Sequence, residues 1–219
     1  MNVVERSIPS PVPIEALERD RPRLVRRGIW LSYATIGYNS LEAIGSLVAG
    51  FLAGSVALVG FGIDSVIEVT ASLAAQWRLR TDWNHLRRDR AEVLTKRIVG
   101  WCFVALALYV LFDAGSTLIE RQPPERSTFG VIVLSLSVIV MPLLARSKKS
   151  VARELGSGAL ESEATQTSLC AYLSVIGLAG VALNATLGWW WADPVAAVVM
   201  VPIIAREGVE GIRAREACC

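Results

Sequence analysis

Histidine and charge are both scarce in this chain of 219 residues, which has one histidine, 19% charged residues and 53% hydrophobic residues. A soluble domain has roughly 25% charged residues, so this balance argues against an ordinary soluble enzyme. A net charge of only +2 provides no basic face and argues against nucleic-acid binding. The four cysteines do not form a disulfide framework, since two of them are adjacent at Cys218 and Cys219.

The single histidine, His85, lies in a basic segment outside the apolar runs. A Ser/His or Cys/His pair therefore cannot form within the apolar segments, and any site inside them is built without imidazole. The absence of a nucleophile–base pair indicates that the chain is not an enzyme. The mean hydropathy of +0.46 instead indicates a membrane protein.

Six apolar segments follow a polar N-terminal stretch. They are Gly28–Phe51, Ser55–Trp77, Ile98–Leu118, Phe129–Ala145, Thr165–Leu187 and Ala192–Ala205. A spanning helix needs about 20 residues. The fourth segment is marginal, and the sixth is long enough only if its helix continues to about Ile212. Asp193-Pro194 predicts the start of the sixth helix, with Asp as the N-cap and Pro at the first helical position.

The chain is thus expected to be an all-α polytopic membrane protein with six transmembrane helices. We expect a cytosolic N-terminal arm over 1–27, the transmembrane domain over 28–212 and a short cytosolic tail over 213–219. Twenty of the 22 basic residues fall on one side of such a topology, and only Arg121 and Arg126 fall on the other. Because basic residues favour the cytoplasmic side, this distribution predicts that both termini are cytoplasmic. The membrane is expected to be the inner (plasma) membrane of a bacterium.

Four acidic residues lie inside these apolar segments, where a carboxylate costs at least ~2.5–3.5 kcal/mol. They are Glu42, Asp64, Glu68 and Asp113, counted apart from Asp193 at the start of the sixth segment. No Lys or Arg lies within the six segments, so a metal ion or protons from outside the chain are the expected counter-charge. Asp64 and Glu68 are spaced i,i+4 and share one helix face, where they can hold one divalent cation. At ~1.5 Å per residue, Glu42 and Asp64 reach a similar depth.

The fifth predicted helix shows a similar pattern with Glu163, Gln166 and Cys170, which are spaced +3 and +4 and share one face. Cys170 is a candidate ligand at the depth of Glu68, although a membrane cysteine is usually a small buried hydrophobe. Asn39 lies one turn before Glu42, as a ligand or as a partner in a helix–helix hydrogen bond. Asp113 and Glu163 are candidates for proton coupling or for a place near an interface, and Asp113 could also only pack between helices.

Two blocks of sequence resemble the cation diffusion facilitator transporters. Residues 54–68, GSVALVGFGIDSVIE, resemble the second helix of that family, with its G-S-x-A-L and paired acid D-x-x-x-D. Residues 162–170, SEATQTSLC, followed by Asp193-Pro194, resemble its fifth and sixth helices. The chain departs from the family pattern at Glu68, Gln166 and Cys170. The resemblance implies a short branch without the C-terminal cytosolic domain, similar to zinc-binding vesicle membrane proteins.

By position, the resemblance implies a metal site between helices two and five, made by Asp64, Glu68, Gln166 and Cys170. It also implies exchange of metal for protons and a homodimer, which here would form through the transmembrane helices. One thiolate among oxygen ligands favours zinc as the transported substrate, then cadmium or cobalt, with iron(II) and manganese(II) also compatible. Two alternatives stay open: a metal-binding membrane protein without transport, acting as a sensor or buffer, and a proton-coupled exporter of small organic cations.

Overall fold

The computed structural model describes the backbone of residues 14–80, 85–155 and 158–213, and side chains within 22–73, 97–155, 160–161 and 163–213. Throughout these ranges the regular elements are all helices, which confirms the all-α prediction. They are α1 (Ile14–Ala53), α2 (Val56–Arg80), α3 (His85–Glu120), α4 (Thr128–Leu155), α5 (Gly158–Leu187) and α6 (Ala192–Ile212). The tail cysteines Cys218 and Cys219, and residues 1–13 of the predicted arm, lie outside the described residues.

Helices α1 to α5 each contain a stretch that is long and apolar enough to cross a membrane. These stretches are Pro22–Ala53, Val56–Leu73, Arg97–Glu120, Thr128–Leu155 and Glu163–Leu187. The sixth helix continues to Ile212, which is the extension that its predicted span requires. The protein is therefore an all-α polytopic membrane protein. Two statements remain predictions: α6 also crosses the membrane, and both termini are cytoplasmic.

Several helices extend well beyond the apolar segments that predicted them. The first begins at Ile14, within the polar arm, and the third begins at His85 rather than at Ile98. The fourth continues ten residues past Ala145 to Leu155. Hydropathy marks the part of a helix that suits lipid, whereas Arg, Lys, Glu and Ala all favour the helix itself and allow it to continue into a polar environment.

The helices pack mainly in the pairs α1–α2, α3–α6 and α4–α5, and α2 also contacts α3, α5 and α6. Consecutive helices also pack as hairpins, because α1 contacts α2 and α5 contacts α6. The apolar stretch of α2 is 72% buried, against 28–39% for the stretches in the other four helices. Polar residues on α2 therefore face protein rather than lipid.

Two glycines bring α3 and α6 together. A Cβ on Gly100 would lie 2.7 Å from the Gly208 carbonyl oxygen, and one on Gly208 would lie 2.9 Å from the Gly100 carbonyl oxygen. Because both obstacles are backbone atoms, no side-chain rotation relieves these clashes. Small residues at such crossings are what allow membrane helices to approach closely.

Asp193 does not form the N-cap that the sequence suggested. Helix α6 begins two residues earlier, at Ala192 with Trp191 as its N-cap, so Asp193 lies inside the first turn. Its carboxylate instead accepts hydrogen bonds from the Ser55 hydroxyl, at 2.5 Å, and from the Val56 backbone N–H, at 3.1 Å. Asp193 thus caps the start of α2 from another helix and joins the beginnings of α2 and α6.

Candidate functional site

Three buried carboxylates and one buried thiol meet where α1, α2 and α5 adjoin. Glu42 comes from α1, Asp64 and Glu68 from successive turns of α2, and Cys170 from α5. Their exposed fractions are 3%, 5%, 4% and 1%, respectively. The i,i+4 spacing of the α2 pair directs both carboxylates toward the same side of that helix. The residues singled out as candidate ligands therefore lie close together inside the protein.

Glu42 lies at the level of the Asp64 turn. One of its carboxylate oxygens, Oε2, accepts a hydrogen bond of 3.0 Å from Ser65, the neighbour of Asp64. The Cys170 thiol lies 3.8 Å from the same oxygen. The hydrogen bond from Ser65 to Glu42 confirms the similar depth expected for Glu42 and Asp64. The sequence placed Cys170 near the depth of Glu68, and the thiol also lies close enough to Glu68 to interact with it, so Cys170 adjoins both carboxylates.

Glu68 is held from α5. Its Oε1 accepts a hydrogen bond of 2.9 Å from the Thr167 hydroxyl. Glu42, Asp64 and Glu68 are close enough to repel one another when ionised. A cluster of like charges in a buried setting needs either protons or a cation to compensate it.

Several polar atoms of the cluster lack hydrogen-bond partners among the described protein atoms. They are Glu42 Oε1, Glu68 Oε2, both side-chain polar atoms of Asn39, and the hydroxyls of Ser46 and Ser137. Asn39 lies near Glu68, and Ser137 lies near Glu42, yet neither pair has the geometry of a hydrogen bond. Buried polar groups are nearly always partnered, so this concentration of free oxygen and nitrogen atoms marks a place that can receive a ligand.

A pocket adjoins the cluster. Its polar lining comes from Asp64, Glu68, Gln166 and Glu207, and its apolar lining comes from α3, α5 and α6. Gln166 is half-buried and faces this pocket rather than the enclosed Glu42–Cys170 side. Glu207, on the extension of α6 past Ala205, escaped the sequence analysis because it lies outside the apolar segment.

A buried basic residue lies beside the acidic cluster, just outside the six apolar segments, which contain no Lys or Arg. Lys148 is 0% exposed, and its ammonium group lies 3.3 Å from Glu163 Oε2. The fourth apolar segment ends at Ala145, which placed Lys148 among cytosolic basic residues. The helix nevertheless continues, and its buried face carries Ser137, Met141, Ala145 and Lys148 at helical spacing. Extending that period by one turn past Ala145 would have identified Lys148.

The remaining candidates have other neighbours. Glu163 pairs with Lys148 and accepts a hydrogen bond of 2.9 Å from Ser32. Asp113 is half-buried and accepts a hydrogen bond of 3.3 Å from Tyr109 on its own helix. It also lies close enough to Asp193 to interact with it electrostatically. Asp113 therefore belongs with the beginnings of α2 and α6.

The cluster is not a ready-made coordination shell. Among the side chains that the structure describes, no three His, Cys, Asp or Glu groups are arranged closely enough to hold a metal ion as they stand. Rotation of Glu42, Asp64 or Glu68 about its side-chain bonds is required before several of them can share one ion. The fit to a cation lies in the donor set, which combines carboxylate oxygens with one thiol.

Several known proteins that resemble the chain are named as cation antiporters or efflux proteins. The family model described as the cation efflux transmembrane domain matches residues 32–214. A "Cadmium, cobalt and zinc/H(+)-K(+) antiporter" of Bacillus subtilis is 32% identical over 188 residues, which cover 78% of this chain and 56% of that protein. The "Manganese efflux system protein MneS" of the same organism is 26% identical over 175 residues, covering 77% and 60%.

Another relative is the "Cation-efflux pump FieF" of Shewanella oneidensis, which is 25% identical over 170 residues, covering 75% of this chain and 57% of that protein. The chain thus spans somewhat more than half the length of these relatives. The family match extends over all six helices, including the carboxylate pair of α2 and the polar face of α5. The chain belongs to the cation efflux family, the cation diffusion facilitators.

Proposed function

We propose that the protein exports a divalent transition-metal cation from the cytoplasm in exchange for protons, with zinc as the first candidate. The site would lie between α2 and α5, with Asp64, Glu68, Gln166 and Cys170 as ligands. Glu42 would complete the shell or carry the proton. The observation that carries the proposal is the buried meeting of three carboxylates and a thiol, several of whose polar neighbours lack hydrogen-bond partners.

The donor chemistry supports a borderline-soft divalent ion. Calcium and magnesium favour oxygen-only sites, whereas the Cys170 thiolate suits zinc, cadmium or cobalt better. Iron(II) and manganese(II) remain compatible with the carboxylates. The names of the Bacillus subtilis relatives include cadmium, cobalt, zinc and manganese, which supports the class of ion. Gln166 is a neutral and weak ligand, so the carboxylates would contribute most of the affinity.

Proton exchange follows from the same ligands. Carboxylates and thiols bind a metal in their deprotonated forms, so metal binding releases protons and protonation releases the metal. Export would occur if the cluster opened alternately to the two sides and the outer side supplied the protons. The pocket beside Asp64 and Glu68 adjoins Gln166, early in α5, and Glu207, late in α6. In the predicted topology those helix ends are cytoplasmic, which favours entry of the cation from that side.

The same topology implies a location in a bacterial plasma membrane, with lipid on the outer helix faces. A homodimer through the transmembrane helices completes the proposal. Helix α3 is the candidate surface because it exposes Leu108, Phe112 and Ile119 and packs mainly against α6 and α2. Light scattering measures the molar mass of the detergent-solubilised protein. A monomer mass at all protein concentrations would exclude the dimer.

A transport assay tests the function. Purified protein in liposomes that contain a zinc-sensitive dye should accumulate zinc when a pH gradient is imposed. Asp64→Asn and Glu68→Gln should abolish this flux, because each removes a carboxylate without a large change in shape. Glu125→Gln removes an exposed carboxylate and should transport normally.

Binding measured on the same preparations separates the alternatives. Stoichiometric zinc binding without flux would indicate a sensor or buffer rather than a transporter. Absence of binding of any of the five candidate ions, combined with export of an organic cation that depends on Asp64, would replace the metal proposal. Unchanged zinc flux in both carboxylate variants would refute the assigned site.

A further inference from the structure

A buried lysine beside the acidic cluster has no role in the mechanism proposed above. Lys148 is fully enclosed on α4, and its ammonium group contacts two residues of α5. It forms an ion pair of 3.3 Å with Glu163 and donates a hydrogen bond of 3.3 Å to the Thr167 hydroxyl. A lysine is almost never fully buried unless its charge is paired, and Glu163 provides that pairing.

The contacts of Thr167 bring the lysine close to the acidic cluster. The hydroxyl that accepts from Lys148 lies 2.9 Å from Glu68 Oε1. These two contacts limit the distance between the ammonium nitrogen and that carboxylate oxygen to about 6 Å. Water does not screen the interaction efficiently, because Thr167 is 0% exposed and Glu68 is 4% exposed.

We propose that Lys148 is a tethered counter-cation that weakens divalent-cation binding at Glu68. The Glu163 carboxylate partly neutralises the lysine charge and so limits this weakening. This inference rests on the metal site proposed above. A fixed positive charge within several ångströms of a divalent ion repels it strongly at low dielectric. The Lys148–Glu163 pair therefore adjusts the affinity of the site without contributing a ligand. A transporter needs such an adjustment because it must release the ion that it binds.

An alternative explanation is that the Lys148–Glu163 pair only holds α4 against α5. The two explanations differ in the direction of the effects. Loss of a structural brace would weaken metal binding whichever partner is removed. Electrostatic tuning requires opposite effects, because removal of Lys148 makes the surroundings more negative and removal of the Glu163 charge makes them more positive.

The test measures zinc dissociation constants of the purified full-length protein at one pH and ionic strength. Lys148→Gln keeps a hydrogen-bond donor and should bind zinc at least ~10-fold more tightly than the wild type. Glu163→Gln leaves the ammonium without its carboxylate partner and should bind at least ~10-fold more weakly. The double variant should fall between them. Lys149→Gln removes the same charge from the exposed neighbouring position and should bind like the wild type.

Several outcomes would overturn the inference. They are equal or weaker binding by Lys148→Gln, weakening in both single variants, and tightening in Lys149→Gln that matches Lys148→Gln. If Lys148→Gln fails to fold, the double variant must still bind more tightly than Glu163→Gln, since these two proteins differ only at Lys148. Failure of the wild type to bind zinc would refute the proposed metal site and this inference together, whereas binding with the wrong order refutes the inference alone.

Discussion

Replacement of Asp193 by alanine should destabilise the protein by separating the beginnings of α2 and α6. The carboxylate is 1% exposed and accepts one hydrogen bond from Ser55 and one from the Val56 backbone N–H. Removing it leaves two buried donors, each of which costs about 1–3 kcal/mol when it stays unpaired. Because the Ser55 hydroxyl can rotate toward another acceptor, we expect a total loss of about 2–5 kcal/mol.

That loss corresponds to a melting temperature about 4–20 °C lower, at roughly 2–4 °C per kcal/mol for a chain of this size. Asp193→Asn keeps one acceptor oxygen and should lose about half as much. The seven tryptophans allow fluorescence-detected melting in detergent. All variants should be heated at the same scan rate, because the unfolding of membrane proteins is often irreversible.

Glu120→Ala is the control for this series because it removes an exposed carboxylate at the end of α3. Its melting temperature should stay within about 1 °C of the wild type, as expected for a surface substitution. The explanation would be refuted if Asp193→Ala melted no more than about 2 °C below the wild type. It would also be refuted if Asp193→Asn were as damaging as Asp193→Ala, since the loss would then not follow the hydrogen bonds.

Three further changes test the helix packing and the proposed site. Gly100→Ala should lower the melting temperature by several degrees because its Cβ meets the backbone of α6, whereas Gly115→Ala, with open space around its Cβ, should be neutral or slightly stabilising. Cys170→Ser should weaken cadmium binding at least ~10-fold and manganese binding much less, because the thiolate favours soft ions. Isothermal titration measures both. Zinc affinity of the wild type should fall as pH decreases, by about tenfold per pH unit for each proton released on binding. A pH-independent affinity would contradict proton release.

Much of the fold was predictable from the sequence because lipid imposes a simple rule on helix length and composition. The i,i+4 spacing of Asp64 and Glu68 predicted a shared face on α2, and both residues are buried there. Helix ends were harder to predict. Hydropathy falls where a helix leaves the lipid, and the segment boundary at Ala145 concealed the turn that carries Lys148.

Partners distant in sequence were beyond the reach of local patterns. Asp193 caps α2 at Ser55, 138 residues earlier, and the Asp-Pro pair suggested a local N-cap instead. Thr167 joins Lys148 to Glu68, but a threonine inside an apolar helix usually bonds its own backbone, and nothing in its spacing indicates two partners on other helices. The sequence identified the acids because a carboxylate inside lipid has a high free-energy cost. The positions of these neutral and basic partners depend instead on how the helices pack.

The division of the bundle into helix pairs has a consequence for how the acidic cluster responds to movement. Glu42 and Glu68 belong to the α1–α2 pair, Thr167 and Cys170 to the α4–α5 pair, and the pocket is closed on another side by the α3–α6 pair, which Gly100 and Gly208 hold in close contact. Sliding of one pair against another would leave the bonds within each pair intact. It would, however, change the Cys170–Glu42 and Thr167–Glu68 distances. The same displacement that opens a route to the site would therefore also change the affinity of the site for a cation.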